Sequence, residues 1–170
     1  MASELAESTQ AIVRGIQADV NLVRKPPRSG GRSQTDSVLD RTIVAGTRGY
    51  IEQVTEQING CYEQGWYDGC GVMIRRLIET LIIEVFEHYG LDGQIKGPTG
   101  DFLYLADLID RMLNCTAWNL SRNTKKALPQ LKGIGDKSAH NRRFLARRGD
   151  IDKITDDLRV VAEEFVHLGF

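Results

Sequence analysis

The segment Leu131-Lys-Gly-Ile-Gly-Asp-Lys-Ser-Ala-His140 concentrates groups able to handle a phosphate. At helical pitch Lys132, Asp136 and His140 are spaced four apart and share a face, and Gly133 and Gly135 would let another backbone come close. A cation, a carboxylate and an imidazole then converge. Imidazole serves as general acid or base near neutral pH, and a cation beside it neutralises phosphate charge. The plainer reading is that His140 closes a helix C-terminus, where the dipole favours a cation. Arg75 and Glu79, also four apart, lie at the margin of another apolar helical face beside Ile82 and Phe86. They read either as a semi-buried ion pair that fixes helix packing or as one wall of a pocket holding His140.

Charge is distributed unevenly around these residues. The whole chain has a formal net charge of −1, yet residues 116–149 carry nine Lys or Arg against a single acid, Asp136. Elsewhere 13 basic residues face 22 acidic ones. Such a cationic stretch attracts phosphates, and Lys137, Arg142, Arg143, Arg147 and Arg148 are its candidate nucleic-acid contacts. A Gly-x-x-x-x-Gly-Lys-Ser/Thr loop, a Gly-x-Ser-x-Gly elbow and a His-Glu-x-x-His pair are all absent from the sequence. Cys61, Cys70 and Cys115 are odd in number and never spaced Cys-x-x-Cys, so they read as buried free thiols suited to a reducing cytoplasm. No metal and no cofactor is expected. His88 and His167 read as helix-surface residues, and Trp66 and Trp118 as packing residues.

Periodicity supplies the elements that must position these groups. Leu5, Ile12, Ile16, Val20 and Val23 mark an amphipathic helix over 1–23, followed by a flexible Pro/Gly linker over 24–37. The bundle proper is expected over 38–170. Ile43 to Tyr62 predicts a helix ending near Gln64-Gly65, with Gly46 and Gly49 weakening its first turns. Trp66 to Tyr89 is apolar almost all round and should be central, stopping at Gly90. Leu91 to Gly100 reads as a loop, and Phe102 to Leu113 as a shorter helix capped by Asp101 or Thr99. A helix from about Ser121 toward Ala139 meets Pro129, which is expected to kink or restart it. Asp150 is placed to cap a last helix carrying Ile151, Ile154, Leu158, Val161, Phe165 and Leu168. The fold class is all-α, an antiparallel bundle of four to five helices with an extra N-terminal helix. No segment is apolar enough to span a membrane.

The pairing of Arg75-Arg-Leu-Ile-Glu79 in the central helix with Gly135-Asp-Lys-Ser-Ala-His140 before the final helix resembles the HEPN superfamily of nucleotide-binding domains. The likeness covers about residues 57–170. It is closest to a bacterial branch of undefined function whose pattern is roughly Arg-x-x-Leu-Glu, then Leu-Arg-x-x-Gly-Asn-x-Ala-Ala-His. The resemblance implies an antiparallel, usually dimeric helical bundle in toxin–antitoxin or other bacterial defence settings. It also implies metal-independent ribonuclease chemistry, with an Arg and a His of each protomer meeting at the dimer cleft. This chain departs from that motif: Gly133, Ile134 and Gly135 stand where the Arg would, Lys132 is one step too far, and Asp136 replaces an Asn. The expected roles are therefore RNA or nucleotide binding by a homodimer, with cleavage through His140, Lys132 and Asp136 as its extension. The alternative is a non-catalytic module that binds a second copy, an antitoxin or another protein.

Overall fold

The computed structural model describes residues 38–170, so the expected first helix and linker over 1–37 lie outside the described residues. Those residues form seven α-helices and one 3-10 turn, with no strand. Their only strand-like pairing is an isolated antiparallel bridge between Lys96 and Phe102.

The chain enters through buried Val38 and Leu39, whose amides donate to the side-chain carbonyl of Asn59 at 3.0 Å each. Asn59 donates in return to the Leu39 carbonyl at 2.8 Å, so a buried amide satisfies three backbone groups at once. Helix α1, Arg41–Val44, starts where the Asp40 side chain accepts from the Thr42 amide. The single helix expected from Ile43 to Tyr62 is broken: Gly46 adopts φ +81°, and α2, Gly49–Glu63, begins after it. An L side chain rarely takes that backbone conformation, so the glycine that weakened the pattern is where the helix stops.

Helices α2 and α3, Tyr67–His88, each end in a Schellman turn. Gly65 at φ +76° lets its amide reach the Tyr62 carbonyl and that of Trp66 reach Cys61. Gly90 at φ +67° repeats the pattern with Glu87, and Leu91 bonds Phe86. The 3-10 turn Asp92–Ile95 sits in the expected loop. Helix α4, Leu105–Asn114, begins later than its sequence suggests; Tyr104 occupies the cap position, with no side-chain hydrogen bond, in place of Asp101 or Thr99. Phe102 is committed to the bridge with Lys96 and cannot join the helix.

Helix α5, Arg122–His140, is capped by Ser121, which accepts from the Thr124 amide at 3.1 Å. It runs through Pro129 without restarting. The missing proline amide removes one helical bond at an exposed position, while Leu128 and Leu131 on either side are fully buried and hold the helix on the core. The last expected helix is two: α6, Arg148–Asp152, and α7, Thr155–Gly169. Asp150 lies inside the first turn of α6, where its carboxylate accepts from the Arg147 amide at 2.9 Å, and it is not the N-cap.

Helix α3 is the centre of the core, packed against α2, α5 and α7. Its Ile74, Leu77, Ile78, Leu81, Ile82, Val85 and Phe86 are fully buried. Burying such a side chain is worth about 1.5–3 kcal/mol, against about 0–1 kcal/mol for an exposed ion pair such as Arg159–Glu163, so packing holds the bundle. Cys70 is buried, but Cys61 and Cys115 are half-buried, and all three are free thiols. His88 and His167 are exposed. Trp118 packs edge-on against Phe86 and Tyr89. Trp66 does not pack: it is 65% exposed. No described helix is long and apolar enough to cross a membrane.

Candidate functional site

The site is made by the crossing of α3 and α5. At Gly135 an added Cβ would lie 2.4 Å from the Arg75 Cβ and 3.0 Å from the Gly71 carbonyl oxygen, so only glycine admits this approach. At Gly71 the added Cβ would meet the Ser138 hydroxyl at 2.7 Å. Gly133 behaves differently from expectation; among the described residues it has no neighbour within 4 Å of that position, so one glycine of the pair makes the contact. The helical period explains this, because residues two apart point to different sides.

The close crossing delivers Arg75 to Asp136. The Arg75 Nε donates to Asp136 Oδ1 at 3.0 Å, and the Lys132 ammonium donates to the other carboxylate oxygen. A second Arg75 nitrogen stands 3.8 Å from Glu79. Partial burial opposes ionisation of Asp136, but hydrogen bonds and charge from Lys132, then from Arg75, outweigh it and hold the carboxyl below its ordinary value. The carboxylate is therefore fixed as an anion, with both neighbouring cations engaged by it.

One helical turn further on, α5 ends at His140, which is exposed, and the chain opens into the loop that precedes α6. A shallow, solvent-open concavity there is lined by Asp136, Lys137, His140, Asn141, Arg142 and Arg143. The Asn141 side chain accepts from the Arg143 amide at 3.0 Å and shapes the turn. Arg142 and Arg143 are exposed, with no carboxylate within ion-pair distance among the described residues, and Lys137 lies over the Phe144 ring at 6.0 Å.

The predicted residues thus separate into three groups. Asp136, Lys137, His140, Arg142 and Arg143 share the concavity. Lys132, Arg75 and Glu79 form the ion network behind Asp136. Arg148 is turned elsewhere: its Nε donates to the Tyr62 hydroxyl at 2.9 Å, its guanidinium lies 5.3 Å from that ring centre, and Asp152 accompanies it. Arg147 is exposed and opens α6. Among the described residues no group of three His, Cys, Asp or Glu is placed to hold a metal ion. Asn141 was missed by sequence reasoning, although its place just after the last basic helical turn fits the preference of Asn for turns.

No family model matches the chain, and no curated protein or solved structure matches it either.

Proposed function

We propose that the chain is a HEPN-like helical domain that binds RNA or nucleotides through the concavity at the end of α5, without cleaving RNA. One observation carries this reading: Lys137, Arg142 and Arg143 converge beside His140, while the acid among them, Asp136, is already compensated by Lys132 and Arg75. Net positive charge is thereby left facing solvent, and phosphates are the anions such a surface attracts by releasing counterions. The same network argues against catalysis. An imidazole mechanism gains most from a cation fixed in place to stabilise charge that develops in the transition state; Lys132 and Arg75 are spent on a carboxylate, and the cations left beside His140 are the exposed Lys137, Arg142 and Arg143.

The test is a salt titration of binding to a labelled RNA by fluorescence anisotropy. Reversing Arg142 and Arg143 to Glu is expected to weaken binding at least about tenfold at low salt and to flatten the dependence of log K on log salt by about 1.4, the change expected when two phosphates of a single strand are no longer neutralised. Thermal melting should be unchanged, because both residues are exposed in a loop. Equal affinity of wild type and variant would set aside the RNA reading and favour a protein-interaction module.

A further inference from the structure

The two Schellman turns make the same demand and are answered differently. This motif places an apolar residue just past its glycine, where it packs back on the preceding helix. After α3 that residue is Leu91, which is packed against the core. After α2 it is Trp66, which leaves 65% of its surface exposed. A Cβ added at Gly69 would lie 3.9 Å from the Trp66 Cβ and 3.3 Å from the Cys61 Sγ, so the base of the Trp66 side chain sits against the start of α3. Most of the indole surface faces solvent.

Its surroundings give that ring a use. The Asp68 carboxylate accepts from the Ala146 amide at 3.0 Å, pinning the α2–α3 turn to the cationic loop that leaves His140. Tyr62 and Tyr67 meet edge-on at 5.8 Å within the same turn, and Arg148 covers Tyr62. Aromatic rings and a cation are therefore neighbours at the α2–α3 turn, which the Asp68–Ala146 hydrogen bond ties to the loop carrying Arg142 and Arg143. Chain lengths bound the distance from the Trp66 backbone to that of Arg143 at about 25 Å, the span of a strand of a few nucleotides. Surfaces that bind single strands combine these two elements, a basic track for the phosphates and exposed rings on which bases stack.

We propose that Trp66 is a base-stacking platform for single-stranded RNA that runs from the concavity at His140 across the α2–α3 turn. This rests on the RNA-binding reading above and names its substrate as unpaired. A duplex keeps its bases stacked on one another and offers the indole nothing, whereas an unpaired strand presents a π-face at every nucleotide.

The chain holds two tryptophans, and Trp118 is buried, so Trp66 is the accessible fluorophore. An oligouridylate of about eight nucleotides is expected to quench wild-type emission with the same Kd that anisotropy reports, and to leave the emission of Trp66→Phe unquenched. Trp66→Ala should bind about tenfold more weakly with an unchanged salt dependence, because every phosphate contact is kept, and Trp66→Phe should recover part of the affinity. Undiminished binding by Trp66→Ala, with the Arg142/Arg143 reversal still deleterious, would overturn the stacking platform and leave the cationic site standing. Equal quenching by a duplex of the same length would overturn it too. Absence of RNA binding in wild type removes both readings. Trp66→Ala that binds RNA normally but shifts from dimer to monomer by light scattering would reassign the ring to contact between copies of this chain.

Discussion

Two carboxylates on this scaffold each sit beside an arginine, yet one is held below its ordinary pKa and the other is pushed above it. Asp136 is about one-third exposed and is gripped by Lys132 and Arg75. Glu84 lies about 14 Å further along α3 from Arg75, is 4% exposed, and has one close cation, Arg48 at 2.8 Å, which is itself more than half exposed. The Tyr50 hydroxyl also donates to Glu84. Burial pushes the Glu84 carboxyl up, Arg48 only partly offsets this, and Glu87 adds to the rise. Beside Glu84 is a cavity of about 290 Å³ also lined by Arg48, Glu87 and His88. An adjacent arginine therefore does not decide a carboxylate's state; the number of cations against the loss of water does. One region fixes an anion beside a phosphate-attracting surface, and the other stores a carboxyl that resists ionisation within the bundle.

The largest expected effect comes from separating the helices that build the Asp136 side. Gly135→Ala forces its Cβ onto the Arg75 Cβ and the Gly71 carbonyl, and neither can yield as a flexible side-chain end would. The net loss should be about 2 kcal/mol, lowering Tm by about 4–8 °C for a chain of this size. Gly133→Ala meets nothing and should stabilise by about 0.5–1 kcal/mol through helix propensity. Calorimetry on the two variants checks the contrast, and equal responses would mean that the crossing at Gly135 does not set the site.

A pH series sharpens the comparison next. The folded-state value of Glu84 is raised, so its contribution to stability is fully present below the ordinary value of 4.5 and is lost as pH rises through the higher folded value. Asp136 has a lowered value; its contribution is present above 3.8 and is lost as pH falls through the lower folded value. Tm measured from pH 3 to 7 should show Glu84→Gln gaining on wild type as pH rises, and Asp136→Asn losing to it above pH 4. Asp136→Asn also frees Lys132 and Arg75, so it should tighten RNA binding and steepen its salt dependence. A stability gap for Glu84→Gln that is flat in pH would break the contrast.

How far these regions were legible in the sequence follows the same physics. The central helix and its stop at Gly90 were plain, since Cys70, Ile74, Leu77, Ile78, Leu81, Ile82 and Val85 recur at threes and fours and a glycine follows the last turn. The four-residue spacing of Lys132 and Asp136 put them on one face of one helix, but that the carboxylate takes up the ammonium as an ion pair is seen only in the structure. The Arg75–Asp136 bond spans 61 residues and depends on which glycine faces α3, which period alone leaves open between Gly133 and Gly135. The exposure of Trp66 was hidden because an apolar residue just past a Schellman glycine is expected to pack, and the sequence does not show that this one leaves most of its ring in solvent. In the sequence Glu84 reads only as a charge that interrupts the apolar segment; its burial depends on Tyr50 and Arg48, which lie more than thirty residues away and close over it.

The smallest expected effect on stability is at His140, and it separates binding from chemistry. The ring is exposed at the last turn of α5, where among the described residues it strands no partner when removed. His140→Ala should therefore change stability by less than about 0.5 kcal/mol, within the range of surface substitutions. If the concavity only binds, the variant should keep most of its affinity for RNA, since Lys137, Arg142 and Arg143 remain. Neither protein should then cleave RNA in the presence of a chelator. Cleavage by wild type without divalent metal, lost in His140→Ala at unchanged Tm, would show that the imidazole works despite the cations held by Asp136. Asp136→Asn should in that case be faster than wild type, because Lys132 and Arg75 would be released toward the phosphate; a slower Asp136→Asn would instead make the carboxylate part of the chemistry.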